Sequence, residues 1–332
     1  MKIEENAFIN NSLGINSRCK LLANLESIED LNNLEALIKA HKKYYILGEG
    51  TNIIPPSFYD GLILKVEFNN INNNNNNNIL SVGASYNWSE LVEFCLRENI
   101  NGFENLIDIP GSVGASPIQN IGAYGAEVSR LIDSIDYFCL DSFSKKSFTN
   151  TECHFSYRDS ALKNAHYLIY NINFKSNLKK NISYQYKSIK KYINDNLINP
   201  DNLMIGDVAK IISTIRSEAL PNPNKIYNAG SFFKNPIVDK NLINFKNFTE
   251  EQLIIWNYSN SLVKVGAARL IELIKDKLIP SKNVSIYKNH SLVLITNGKA
   301  SQNEVLDYAS QINQLVYKNF NISLEIEPNI IN

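Results

Sequence analysis

Apolar and polar positions along the chain alternate between two periods, and the switches between them outline the elements. Tyr44–Leu47 is a short apolar run that stops at Gly48, and Leu62–Val66 is a second; each reads as a buried strand. Ile79–Ala84 reads as a third. From Asn87 to Asn99 the period lengthens, with Leu91, Val92, Cys95 and Leu96 at helical spacing. His166–Phe174 alternates as a strand does, and Asp207–Glu218 returns to helical spacing through Val208, Ile211, Ile212 and Ile215. Val265–Lys277 predicts another helix and Leu292–Thr296 another strand. The clearest helix spans Ser301 to Phe320: Ser301 and Glu304 form a capping box, and Val305, Ala309, Ile312 and Val316 form an apolar stripe. Ile322–Ile326 reads as a final strand. Strands and helices come in mixed order with no internal repeat, which predicts an α+β fold.

Three stretches break the pattern. Asn69–Asn78, with its unbroken Asn72–Asn78, offers nothing to bury and reads as a solvated loop insertion. Gly102–Val128 is rich in Gly, Pro, Ser and Ala; it is too long for an ordinary connection, and long ordered loops carry function. Pro221 and Pro223 end the Asp207–Glu218 helix and mark a domain boundary. A length of 332 residues suggests two or three domains at roughly 100–200 residues each.

Composition narrows the function. The 33 basic and 33 acidic residues cancel, so no net electrostatic footprint points to nucleic acid or an anionic membrane. Apolar runs stay short of the ~18 residues that span a bilayer, and the first residues lack the apolar segment of a secretory signal. Cys19, Cys95, Cys139 and Cys153 have no C-x-x-C spacing and no disulfide pattern, so reduced thiols in a cytoplasm are expected. His41, His154, His166 and His290 are scattered, and no metal site is expected.

Two segments suggest a phosphorylated or flat ligand. Gly48-Glu49-Gly50-Thr51-Asn52 ends a strand; its glycines allow a tight turn whose N–H groups converge on phosphate oxygens, though an ordinary surface turn has the same composition. It is not G-x-G-x-x-G, which disfavours a Rossmann site. Pro110-Gly111-Ser112-Val113-Gly114-Ala115 and Gln119-Asn120-Ile121-Gly122-Ala123-Tyr124-Gly125 form two small-residue loops close in sequence. They suit backbone packed on a ligand, with Gln119 and Asn120 placed to bond a heterocycle edge; a Gly-rich crossover between sheets is the alternative.

The runs LGEGTN, GFENLIDIPGSVGASPIQNIGAYGAEV, FSYRDSALK, NAGSFFKNP and LEIE occur in that order. Together they resemble the UDP-N-acetylenolpyruvoylglucosamine reductases of the YRDS-type branch, over about Asn11 to Ile331. The resemblance implies a two-subdomain FAD-binding module of the vanillyl-alcohol-oxidase/PCMH type, residues 1–67 and 68–218, and a C-terminal α+β substrate domain, 219–332. It also implies FAD and NADPH as cofactors, a UDP-sugar as substrate, and a cytoplasmic monomer without nucleic-acid or membrane partners. Gly48 to Asn52 would cradle the FAD diphosphate, while Pro110 to Ala115, Gln119, Asn120, Gly122 to Gly125 and Arg216 would complete the flavin site. Arg158, Ser231 and Glu327 correspond to the catalytic residues. Tyr157, Tyr184, Lys234, Asn235, Lys264 and His290 would contact the substrate, Tyr184 as the tyrosine that closes over it.

These residue types suit reduction of an enolpyruvyl ether by hydride taken from NADPH. Negative charge develops beside the substrate carboxylate, where Arg158 offers a bidentate fork and Glu327, if held protonated in an apolar site, donates a hydrogen bond. Ser231 protonates the carbanion. Blander readings stand beside these: an Arg158–Asp159 ion pair, a turn serine after Gly230, an exposed strand-end carboxylate at Glu327. The sequence also departs from the family. Pro328 and Asn329 replace the usual residues after the second glutamate, and a gapped match would put Asn329 at the catalytic place. Ala219 replaces a lysine and Arg269 a tryptophan. A related flavoprotein oxidase and a flavin-binding homologue without catalysis are the competing readings.

Overall fold

The computed structural model describes residues 1–74, 76–163, 166–178 and 182–332, and the chain divides into two compact units. The first comprises Met1–Ala7, Cys19–Glu49 and Asp60–Ser217; the second comprises Phe8–Arg18, Gly50–Tyr59 and Glu218–Asn332. The helices are α1 (Leu34–Ala40), α2 (Trp88–Arg97), α3 (Lys187–Asp195), α4 (Ile205–Ala219), α5 (Ala267–Ile274) and α6 (Gln302–Phe320). Among the described residues no helix is long and apolar enough to cross a membrane. All four cysteines are buried and unpaired.

Two sheets build the first unit. One has four strands in the order Lys2–Phe8, Arg18–Leu25, Phe58–Val66, Tyr44–Ile46, the last two parallel. The other is antiparallel, in the order Ser144–Thr149, Ile132–Cys139, Tyr167–Lys175, Ile79–Gly83, Ile71–Asn74. Leu62, Leu64, Leu80, Val82, Ile135, Ile172 and Phe174 share one core with α2. That helix forms where its spacing predicts. Asn87 caps it by accepting from Ser89 N at 2.9 Å and Glu90 N at 3.2 Å, and Trp88, Leu91, Val92 and Cys95 are its buried face. Trp88 then meets Phe103 and Phe174, with ring centroids 6.2 Å away in each case. A smaller core joins α3 and α4 through Ile189, Ile193, Val208, Ile211 and Ile212.

The asparagine tract corrects the expectation of a loop insertion. Ile71–Asn74 is an edge strand, paired Asn72 to Ser81, Asn73 to Leu80 and Asn74 to Ile79; Asn75 lies outside the described residues. An edge strand needs backbone pairing on one side only, so apolar side chains are not required. Its neighbours continue a polar face: Ser81 Oγ donates to Asn171 Oδ1, and Asn171 and Asn173 both donate to Asp136 Oδ2, at 3.0–3.1 Å.

The second unit holds two three-stranded sheets, Asn228–Ser231/His290–Thr296/Val284–Tyr287 and Ile237–Asp239/Leu262–Val265/Ile255–Ser259. α6 confirms both the capping box and the stripe: Val305, Ala309, Ile312 and Val316 are fully buried against Phe232, Leu270, Ile271 and Leu294. α5 starts at Ala267, two residues later than the spacing suggests, because Val265 pairs as a strand. The final strand is also displaced. Within Ile322–Ile326 only Ile326 pairs, in a bridge to Phe233, and the last strand is Asn329–Ile330, parallel to Ile53–Ile54. Ile322 and Leu324 are buried through packing instead of a ladder.

The half-exposed Tyr227 ring lies between two glycines. A Cβ on Gly14 or on Gly298 would fall 2.7 Å from a ring carbon, and both glycines have positive φ, +66° and +77°. Thr296 reinforces the clamp: its N–H donates to Tyr227 O at 3.0 Å and its hydroxyl to Leu13 O at 2.6 Å.

Two outcomes follow from this packing. Gly298→Ala forces a left-handed alanine into the ring; at about 1–2 kcal/mol for the backbone alone, a melting scan should show a fall of several degrees, at ~2–4 °C per kcal/mol. Glu104 is 2 % exposed and accepts from Gly102 N at 2.7 Å; burial raises its pKa above the ordinary carboxylate value. A carboxyl raised in the folded state contributes stability below its unfolded pKa and loses it as pH rises through the folded one. Glu104→Gln should therefore melt near wild type at pH 4 and increasingly above it toward pH 8; a pH-independent difference would remove ionisation as the cause.

Candidate functional site

In the first unit the site grows from the segment 105–125. The turn at Gly48 comes against it: a Cβ on Gly48 would fall 2.9 Å from Ser112 Oγ and 3.5 Å from Ala115 Cβ. Two of the expected ligand-facing positions turn inward instead. Val113 is fully buried, and Gly114 N donates to Ala84 O at 2.8 Å, with room for no Cβ beside Ala84. Pro110, Gly111 and Ser112 form the turn before them; Gly111 has φ +127° and its carbonyl accepts from Trp88 N. Ser116 is 2 % exposed, and its Oγ finds no partner among the described residues.

Gly122–Ala123 pairs with Ala126–Glu127 across a two-residue turn, Tyr124-Gly125, both with positive φ as such a hairpin requires. A Cβ on Gly125 would meet nothing within 4 Å. Asp108, Asn120, Tyr124 and Arg158 are non-glycine residues with φ of +44° to +58°. Of these, Tyr124 and Arg158 are the ones whose side-chain type does not favour that conformation.

The Asn120 side chain corrects one expectation. It does not present its amide to a heterocycle: it is 1 % exposed, donates to Glu127 Oε2 at 3.1 Å and Ser156 O at 3.0 Å, and accepts from Ser129 N at 3.1 Å. Gln119 is buried as well. What Asn120 holds is the turn Ser156–Asp159, closed by reciprocal backbone bonds of 3.0 and 3.2 Å, with Tyr157 and Arg158 at its tip. Ser160 Oγ donates to Ile118 O at 2.8 Å and Arg158 Nη2 to Gly122 O at 2.8 Å. The arginine is thus set on the small-residue loop, with its guanidinium carbon 5.5 Å from the Tyr157 ring centre. Asp159 pairs with Lys163 at 2.7 Å.

Arg216 on α4 donates to Asp108 O at 3.1 Å. Burial lowers its pKa and raises that of Tyr124 nearby; a desolvated guanidinium of this kind favours an anionic ligand. Tyr184 packs on the Ile189/Ile193 core, and Tyr186 meets Tyr124 edge-to-face at 5.3 Å.

In the second unit, Gly50, Thr51 and Asn52 are tied down by their carbonyls: Ser12 N donates to Gly50 O at 3.0 Å, Ser12 Oγ to Thr51 O at 3.1 Å and Asn329 N to Asn52 O at 2.9 Å. Gly50 is a glycine for its own chain, because a Cβ there would fall 2.0 Å from Asn10 O. Ser231 ends a strand whose register shifts between Asn228 and Ser231. The buried Asn228 side chain accepts from Gly230 N at 2.9 Å and donates to Ile226 O at 2.8 Å. It builds the bulge that re-aims Ser231; the sequence alone suggested only a turn at Gly230-Ser231, although Asn228 two residues before that glycine was a usable signal.

Glu327 follows the isolated Phe233–Ile326 bridge, its N–H donating to Phe232 O at 2.9 Å. The alternative Asn329 is fixed in the terminal strand against Ile53. Lys234 N donates to Glu325 O at 2.9 Å, and its ammonium pairs with the Glu325 carboxylate. Asn235 Oδ1 accepts from Ala267 N at 2.9 Å and so caps α5. Lys264 stands opposite Ile237 and Trp256, with Nζ 5.8 Å from the Tyr258 ring centre. Burial lowers the His290 pKa, and its Nδ1 accepts from Leu292 N at 3.3 Å.

Three comparisons with known proteins bear on this arrangement. A family model described as UDP-N-acetylenolpyruvoylglucosamine reductase, C-terminal domain, matches residues 222–331, and one described as FAD binding domain matches 19–139. The UDP-N-acetylenolpyruvoylglucosamine reductase of Bdellovibrio bacteriovorus is 35% identical over 96% of both chains, and that of Flavobacterium johnsoniae 31% over 100% of both. The crystal structure of the enzyme from Thermus caldophilus shares the fold over 100% of both chains at 19% identity, with a TM-score of 0.71. With full-length relatives above 30% identity and its C-terminal residues matched by the family's own domain, the chain belongs to the UDP-N-acetylenolpyruvoylglucosamine reductase family.

Proposed function

We propose that this protein reduces enolpyruvyl-UDP-N-acetylglucosamine to UDP-N-acetylmuramate at the expense of NADPH, as a cytoplasmic monomer in cell-wall precursor synthesis. The observation that carries the reading is the Tyr157-Arg158 turn stapled to the 118–125 loop, matched in the second unit by a bulge-aimed Ser231 with Glu327 on the adjoining segment.

The residues present fit FAD. The missing Cβ of Gly48 lets its turn approach Ser112 closely, a Cβ on Gly125 would meet nothing within 4 Å, and Ser116 Oγ is a buried group without a partner among the described residues. Gly48 to Asn52, Pro110 to Ser112, Ala115, the backbone of Gln119 to Gly125 and Arg216 would hold the cofactor. Bound FAD supplies a hydride acceptor for NADPH and a hydride donor for the methylene carbon of the vinyl ether.

The chain's own residues then govern charge and proton. Arg158 holds the substrate carboxylate, where charge accumulates as the double bond is reduced. Its anchor on Gly122 O fixes the guanidinium before substrate arrives. Glu327 offers its carboxyl group to the same end of the substrate. Ser231 Oγ gives its proton to the neighbouring carbon and regains one from water. Lys234, Asn235 and Lys264 bind the UDP-sugar, with Tyr184 closing over it.

Purified protein should be yellow, and anaerobic mixing of its reduced form with enolpyruvyl-UDP-N-acetylglucosamine should restore the flavin absorbance within the turnover time. Ser231→Ala should leave flavin reduction by NADPH intact and slow reoxidation about 10²–10⁴-fold, or about 3–5 kcal/mol of barrier. Wild-type reoxidation in that variant would take the proton transfer away from Ser231. Colourless, folded protein that cannot be reconstituted with FAD would end the reading altogether.

A further inference from the structure

Asn105 is a polar side chain with 1 % exposure in the middle of the first unit's core, on the turn Glu104–Leu106. The turn is anchored on both flanks: Trp88 Nε1 donates to Leu106 O at 2.8 Å, and Gly102 N to the Glu104 carboxyl. From this fixed point the Asn105 amide nitrogen donates twice. One bond goes to Tyr124 O at 2.9 Å, in the turn of the small-residue hairpin; the other goes to Ser183 O at 3.0 Å, immediately before Tyr184. Its Oδ1 is buried with no partner among the described residues. A leucine would fill the same volume without an orphaned oxygen, so what the amide adds is the pair of bonds its nitrogen makes. Both N–H bonds end on main-chain carbonyls, so they fix backbone and not a particular side chain. The two segments meet again at the surface, where Tyr186 packs edge-to-face on Tyr124.

We propose that Asn105 is a positioning residue that fastens the 182–186 segment to the 122–127 hairpin, so that Tyr184 is preset above the site before substrate binds. The role of Tyr184 in that statement rests on the function proposed above; the tether itself does not. Asn105 touches neither substrate nor cofactor and acts through the two carbonyls it holds.

Amide hydrogen exchange on the purified full chain tests the tether, and the KM-against-kcat split tests its purpose. Asn105→Asp keeps the shape and leaves at most the single O–H of a protonated carboxyl where there were two N–H donors. Exchange across 183–186 should rise at least tenfold, while the strand Tyr167–Lys175 keeps its protection. KM for the UDP-sugar should rise about tenfold, with a smaller change in kcat. Tyr186→Ala, at an exposed position, should move both readouts in the same direction, and the double variant should add little to Asn105→Asp. If Asn105→Asp fails to fold, Asn105→Ser, which keeps one donor, should give an intermediate rise. Unchanged exchange at 183–186 in either folded variant, or full additivity with Tyr186→Ala, overturns the tether. Raised exchange in a chain that never reduces the UDP-sugar upholds the tether and refutes the enzymatic reading instead, so the two failures are distinct.

Discussion

The loops that carry the first unit's candidate residues are held by side chains donating to main-chain carbonyls of the segment 118–125 or across it: Asn120 to Ser156, Ser160 to Ile118, Arg158 to Gly122, Asn105 to Tyr124 and Ser183. A buried carbonyl that loses its donor is costly, and each such bond is worth only about 1 kcal/mol net. Their importance is collective. The same loops hold Asp108, Asn120, Tyr124 and Arg158 in left-handed backbone, at about 1–3 kcal/mol each. That conformation persists only because several bonds over-determine it. In the reaction proposed above, an arginine set in advance by such a frame costs the substrate little binding energy to order.

The second unit reaches the same end with a sheet. A ladder in register would leave Ser231 aimed by the pleat; the Asn228–Gly230 turn inserts a bulge and changes that direction, while Phe232 and Phe233 anchor the following residues in the core. One family departure is absorbed locally. Arg269 donates to Gln252 O and pairs with Glu272, so the cation is compensated where a tryptophan is usual.

How much of this was legible depends on where the signal resides. α6 and α2 could be read because capping and apolar spacing are local, and Ser301, Asn87 and the buried stripes all agree. The Ile71–Asn74 strand could not, because its support is the neighbouring Ile79–Gly83 backbone and not its own side chains. Ile322–Ile326 looks like a strand because it is apolar and alternating, yet its burial comes from packing. The motif residues were found as types and spacings, but not their division of labour. The Asn120 side chain looks like a ligand contact in sequence but is spent on Glu127, Ser156 and Ser129, and Gly50 is a glycine because Asn10 O lies against it, whereas Asn105 matters through two carbonyls 19 or more residues away.

The pairing of Ile53–Ile54 with Asn329–Ile330 has a consequence for how the protein is made. Gln302 closes that junction by donating to both Ile54 O and Ile331 O at 2.8 Å, and Leu13 and Ile54 are fully buried in the core built by residues 218–332. Early segments emerging from the ribosome must wait for late ones, with Leu13 and Ile54 uncovered meanwhile. Such long-range closure is slow and leaves apolar surface exposed during synthesis. Until residue 330 has been added, neither the Ile53–Ile54 pairing nor the cover over Leu13 can be completed.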